Sequence, residues 1–267
     1  MAAASGGGIE KIIKSPPLAW LFESLTFVGE LVLILWQSLS RMFRRPFEWK
    51  ELFGQMSFVG VSSVPIIALT TFSSGAVIAL YSADLLRSYG ASSLAGATVS
   101  LSVCRELAPV LAGIMVAARC GSAMAAQIAT MAVTEQIDAL KSLRVSPINY
   151  LVVPRLIACL LMLPILGLIG MYSGVAGGYL VAVKLGGIPS GAFIRSFQRF
   201  TEVSDISGGM IKTFVFGLII ALVACQQGLR SEGGAVGVGH ATTRTVVITM
   251  VLIYVANYFL TAGLFTK

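Results

Sequence analysis

The chain has 267 residues, 56% of them hydrophobic and only 12% charged, where a soluble domain carries about 25% charged residues. Several apolar runs exceed the ~18 residues that cross a membrane, which excludes a soluble globular protein and predicts an all-α polytopic membrane protein. The net charge of +7, from 19 basic and 12 acidic residues, reads as cytoplasmic-loop bias and contact with anionic lipid, not as nucleic-acid binding.

In chain order, residues 1–16 are small and polar and read as a disordered N-terminus. The opening MAAASGGG has no basic flank and no adjacent apolar run, so no signal peptide is expected. Residues 17–50 read as a helix followed by a basic link. Glu23, Glu30, Gln37, Arg41 and Arg44 fall on one narrow stripe of that helix, and the rest is Leu, Phe, Trp and Val. Such a helix suits the membrane interface, lying flat with its polar stripe toward water; a tilted span is the alternative. Trp20, Trp36 and Trp49 fit the headgroup level, and Arg41, Arg44, Arg45 and Lys50 mark a cytoplasmic side.

Residues 51–267 read as a five-span domain. Span one is predicted over Phe58–Tyr81, followed by a polar link with Asp84 and Arg87. Span two runs from Ser92 toward Met131 and is rich in Ala, Gly and Ser, which let helices pack backbone to backbone. Span three begins near Tyr150 and its apolar run reaches Val183, which predicts tilt or a kink near Pro164 or at Gly167, Gly170, Gly174, Gly177 or Gly178. Lys184–Ser207 is a polar link with a short amphipathic helix carrying Phe193, Phe197 and Phe200. Span four covers Met210–Cys225, a glycine-rich link Gln226–Thr245 follows, and span five covers Val246–Leu264.

Between spans two and three lies a polar island, AVTEQIDALKSLRVSPINYLVVPR at Ala132–Arg155. Val133, Ile137, Leu140 and Leu143 recur at three- and four-residue intervals, so the island reads as a short amphipathic helix stopped by Pro147. A charged helix between two spans lies outside the bilayer and offers a handle for another protein. Counting Lys and Arg by segment, with Arg119 and Arg155 on the inner side and Lys212 on the outer, favours a cytoplasmic N-terminus and a cytoplasmic island. The basic residues of the third link run against that bias.

Arg105 and Glu106 stand inside span two. Ionised groups there cost several kcal/mol, so each needs a partner or a wet cavity. Adjacent helix positions diverge by about 100°, so at least one reaches another helix, a headgroup or water. Lining a substrate cavity and forming interhelical salt bridges both remain open. Pro109 frees a backbone carbonyl nearby. Cys104, Cys120, Cys159 and Cys225 are unclustered and read as packing residues. His240 is the single histidine, which makes a metal site improbable on composition. No Walker A motif, nucleophile elbow or catalytic carboxylate pair occurs, so no enzymatic or ATP-hydrolysing activity is expected of the chain alone.

The run LSVCRELAPVLAGIMVAARCGSAMAAQIATMAVTEQIDALKSLRVSPINYLVVPR, with GVGHATTRTVV at Gly237–Val247, resembles the two shared motifs of the MlaE-type permeases. These are the membrane subunits of MCE-associated ABC lipid transporters. The likeness runs from about Phe58 to the end; Ala108 and Cys120 depart from it but stay small. It implies that 51–267 is a permease domain of a bacterial inner-membrane transporter, a plastid envelope being the alternative. It implies two copies of the chain, cytoplasmic ABC ATPase subunits that carry the ATP and Mg, an MCE-domain periplasmic lipid-binding protein, and phospholipid as cargo. The island resembles a coupling helix, with Glu135, Gln136, Asp138, Leu140 and Lys141 meeting the ATPase. Leu86, Tyr89, Arg105, Glu106 and Leu107 fall where the family lines its lipid cavity. An ion-coupled secondary transporter is the competing reading; it needs intramembrane carboxylates, of which Glu106 is the clear instance.

Overall fold

The computed structural model describes residues 16–41 and 49–265, with side chains described for 25–40 and 49–265. Among them the chain forms helices and no strand: α1 (Pro16–Arg41), α2 (Trp49–Ser88), α3 (Ser92–Val133), α4 (Gln136–Ser142), α5 (Ile148–Lys184), α6 (Ser190–Phe200), α7 (Val203–Leu229) and α8 (Gly234–Phe265). Five of these, α2, α3, α5, α7 and α8, are long and apolar enough to cross a membrane. They alternate in direction. The end of the bundle that carries α4 is here the near end; α6 lies at the far end.

α2, α3 and α5 have 40, 42 and 37 residues. At about 1.5 Å per residue each is far longer than the ~30 Å hydrocarbon core, so they tilt or project beyond it. α3 holds its length with two π turns, Val103–Leu107 and Ala117–Gly121, and α5 opens with a third, Ile148–Val152. In two cases a proline stands two positions after the turn, Pro109 and Pro154. A proline ring clashes with the carbonyl four residues back, and a widened turn moves that carbonyl away. α7 starts on a capping box in which Glu202 and Asp205 each accept from the other's backbone N–H.

α5 runs through the middle, packed on α2, α3 and α7. Its glycines, where the sequence predicts tilt or a kink, serve close approach, and the helix is continuous from Val153 to Lys184 through Pro164. A Cβ at Gly75 would overlap the Gly174 carbonyl, and one at Gly177 the Phe72 carbonyl. Leu163, Leu166, Phe216, Ile220, Val116 and Met124 fill the central core. A far-end cluster gathers Val99, Val103, Met171 and Phe193, and a near-end cluster gathers Ile128, Ile137, Leu151 and Val152. The four cysteines are all buried and unpaired.

Several sequence expectations are corrected. The link predicted at Asp84 and Arg87 is the last turns of α2. α7 begins at Val203, not Met210, and most of the glycine-rich link Gln226–Thr245 is already α8. On the polar stripe of α1, Glu30 turns inward to Arg230 (2.6 Å) and Gln226 (2.9 Å) at the end of α7. Leu25, Val32, Leu33 and Trp36 face out. The expected disorder of the first residues and the basic trio Arg41, Arg44 and Arg45 lie outside the described residues or side chains. Arg119, Arg155 and Lys212, counted by sequence as loop charges, lie within the spans; removing all three leaves the basic bias in the same direction.

The glycine contacts give a direct test. Gly177→Ala should lower the apparent unfolding temperature of the purified protein and broaden its size-exclusion peak, because the obstructing atom is backbone. Gly263→Ala, with no atom within 4 Å of the added carbon, should do neither. Equal behaviour of the two would overturn this account of α2–α5 packing.

Candidate functional site

The charged residues of span two are joined to partners that lie a hundred residues further on. Arg105 Nε donates to Asp205 Oδ1 at 2.7 Å, and its Nη2 lies 2.7 Å from the same oxygen. The other oxygen of Asp205 accepts the Glu202 backbone N–H at 2.9 Å, so one buried carboxylate both caps α7 and pairs with α3. Glu106 takes a different set of partners. Its Oε1 accepts from Lys212 Nζ at 2.7 Å and Thr261 Oγ1 at 2.8 Å, and its Oε2 from Asn257 Nδ2 at 2.8 Å. The Phe265 ring covers both cations, 4.9 Å from the Arg105 guanidinium carbon and 5.2 Å from Lys212 Nζ.

Lys212 is the pivot of this cluster. Pro109 has no N–H to offer the Arg105 carbonyl four residues back. Lys212 Nζ supplies the missing donor at 2.7 Å, alongside its bonds to Glu106 and Thr261. All three ammonium protons are thereby used. The side chains of Lys212 and Asp205 are sealed, whereas those of Arg105 and Glu106 keep 38% and 39% exposure. Charge compensation is internal, and one edge of each outer group stays open.

The structure thus makes Arg105 and Glu106 members of interhelical ion pairs linking α3 to α7, with hydrogen bonds from Glu106 to α8. Leu107 and Leu86 border the far-end core. Tyr89 caps α2 and is exposed, making no side-chain hydrogen bond among the described residues. Asp205 and Lys212 were missed by sequence reasoning. The signals were there: Glu202 and Asp205 stand at capping-box spacing, and Lys212 is followed by an unbroken apolar run.

At the near end, α4 is held by its apolar side. Ile137 is buried and Leu140 half-buried against Ile128, Leu151, Val152 and Cys225. Glu135, Gln136, Asp138 and Lys141 are exposed. Lys141 pairs with Asp138 at 2.8 Å and Gln136 bonds Thr134 at 3.0 Å. Two non-glycine residues bracket the helix in the left-handed region, Glu135 (φ 59°) and Arg144 (φ 57°), a conformation costing roughly 1 kcal/mol for such residues. Arg144, not Pro147, therefore ends the helix, and Glu135 breaks its continuity with α3. Leu143, expected on the buried stripe, is 73% exposed at the tip. Among the described residues no group of His, Cys, Asp and Glu could hold a metal. His240 is exposed on α8, beside Arg230 and Arg244 in a polar cleft.

Five apolar spans with a short charged helix outside them define a multi-pass membrane protein of permease type. The profile described as Permease MlaE matches residues 52–262, and the chain belongs to the MlaE permease family. A probable ABC transporter permease protein of Rickettsia felis is 45% identical over 234 residues, 88% of this chain and 90% of that one. One from Synechocystis is 47% identical over 206 residues, 77% and 78% of the two chains. One from Pyropia yezoensis is 38% identical over 215 residues, 80% and 82%.

The ion-pair cluster predicts non-additive mutations. Lys212→Met strands Glu106 and the Arg105 carbonyl and should destabilise by about 3–5 kcal/mol. Adding Glu106→Gln to it should restore part of that loss, a coupling readable in a double-mutant cycle of thermal unfolding. Simple additivity would contradict the assignment.

Proposed function

We propose that this chain is the membrane-spanning permease subunit of an ABC transporter that moves phospholipid or a related lipid between the inner membrane and another envelope layer. A separate ATPase, which carries the ATP and Mg, supplies the energy. The observation that carries the reading is α4: a charged helix standing outside the spans, its apolar side fixed to the near-end core and its polar side free. Glu135, Gln136, Asp138 and Lys141 make the docking edge, with Leu143 added as an apolar anchor. Leu140 acts from beneath, holding α4 to the bundle. The near end is then cytoplasmic, as is the N-terminus.

A second copy of the chain covers α8. Only 11% of the most apolar 18-residue stretch of α8 is buried, against 67% in α7, and Val251, Tyr254, Val255, Tyr258 and Phe259 are exposed along it. The open edges of Arg105 and Glu106 border the path of the lipid, with Leu86, Leu107 and Tyr89 around them, and an MCE-domain protein receives or delivers the cargo at the far end. The rival reading, ion-coupled transport through Glu106, is disfavoured by the three donors that already hold that carboxylate.

Two measurements test this. Glu135→Lys with Asp138→Lys should reduce ATPase co-purification at least tenfold while the permease keeps its unfolding temperature; retention of the ATPase would refute the docking edge. Photocrosslinkers at Tyr89 and Leu86 should capture phospholipid in the assembled transporter, and capture no greater than at Trp49 would remove them from the lipid path.

A further inference from the structure

One cavity of about 360 Å³ lies at the far end between α5, α6 and the start of α7, with Cys104 of α3 as its floor. Leu168, Met171, Val175, Tyr179 and Phe193 are among its walls, and no polar surface faces it. Tyr172, 74% exposed, and Ile194, 44% exposed, stand at its mouth. A cavity this apolar gives water no partners. It is also too small for a protein helix: a rod about 10–12 Å across would fill 360 Å³ within roughly 4 Å of its length, less than one turn. A hydrocarbon chain is thin enough and carries nothing that needs a hydrogen bond.

α6 roofs this cavity with one face and carries charge on the other. Phe193 and Phe197 point into it, while Arg195 and Arg199, at the same i, i+4 spacing on the opposite side, are exposed. Ser196 fixes the roof by accepting the Ala97 backbone N–H at 3.0 Å. None of the four ion pairs among the described residues uses Arg87, Lys184, Arg195 or Arg199. These far-end cations are also the ones that oppose the basic bias of the near end, so topology does not account for them.

We propose that this cavity holds one acyl chain of a resident phospholipid whose phosphate is bound at the far-end surface by Arg195 and Arg199. The acyl chain fills apolar volume that the protein leaves unpacked and makes dispersion contacts with its walls, and the phosphate neutralises cations that have no carboxylate. This site is separate from α4 and from the α8 face, and it adjoins the proposed lipid path at Cys104, next to Arg105. It rests on membrane residence alone, so it stands or falls independently of the transport reading.

The test uses the full-length protein in phosphatidylcholine nanodiscs doped with phosphatidylglycerol carrying a diazirine near the end of one acyl chain. Crosslinked peptides should map to Leu168–Tyr179 and Phe193–Phe197. Val175→Trp, which fills the cavity, should reduce that labelling at least fivefold. Arg195→Glu with Arg199→Glu, a surface change that leaves the interior intact, should reduce it at least threefold and keeps the test readable if Val175→Trp does not fold. A diacylglycerol with the same chain should label the site less than phosphatidylglycerol does. Labelling no stronger than at Tyr254–Phe259, insensitivity to the arginine changes, or equal labelling by diacylglycerol would each overturn the proposal.

Discussion

A backbone carbonyl without a partner is the group a membrane interior tolerates least, and the irregular points of this bundle are organised around supplying one. Each of three cations within the spans bonds a backbone carbonyl at or beside an irregular turn. Lys212 reaches the Arg105 carbonyl that Pro109 leaves unpaired. Arg119 donates to the Phe58 carbonyl at 3.0 Å, where α2 tightens into a 3-10 turn at Val61–Ser63, and to Ser63 Oγ at 2.8 Å. Arg155 donates to the Leu151 carbonyl at 2.7 Å, inside the π turn that opens α5. The positive charges that look out of place in apolar sequence are the local answer to breaks in the helical ladder. Lys212 and Arg119 reach those carbonyls from another helix, and Arg155 bonds Gln127 of α3 at 3.1 Å with its other nitrogen, so each cation also makes a tertiary contact.

This pattern divides the molecule into a stiff middle and two differentiated ends. In the middle, glycine-mediated contact of α2 with α5 leaves no room for side-chain adjustment. At the near end, α4 is a separate short block between two left-handed residues, joined to the bundle through Ile137 and Leu140. A force applied to α4 therefore enters the spans through apolar packing and not along a continuous helix. At the far end, α6 and the ion pairs tie α3 to α7 and α8. α8 itself is the least covered span.

Much of this was legible in the sequence, because length and apolar content fix a span with few alternatives. The five spans, α4 and the amphipathic α6 all stand near where periodicity puts them. What escaped has identifiable causes. Glycine weakens helices in water by about 1 kcal/mol each, so GGAVGVGHATTR read as a link; there the helix of α8 instead satisfies its own backbone. Glu30 and Lys212 were read as solvent-facing because a charge count carries no information about which distant residue neutralises it. Arg230 and Glu106 are about a hundred to two hundred positions away in the chain. The left-handed turn at Arg144 has no glycine to announce it, and Pro147 was the more visible stop signal. The paired character of Arg105 and Glu106 was foreseen as one of two options, but not the identity of Asp205 and Lys212.

Asp205 has two employers. Its one oxygen terminates the α7 ladder and its other anchors α3 through Arg105. Any shear of α3 along α7 large enough to part the ion pair also tugs on the first turn of α7, so sliding and fraying are linked at a single carboxylate. The far end is thereby built to resist small displacements and to release cooperatively at larger ones, behaving as a catch with a threshold and not as a spring.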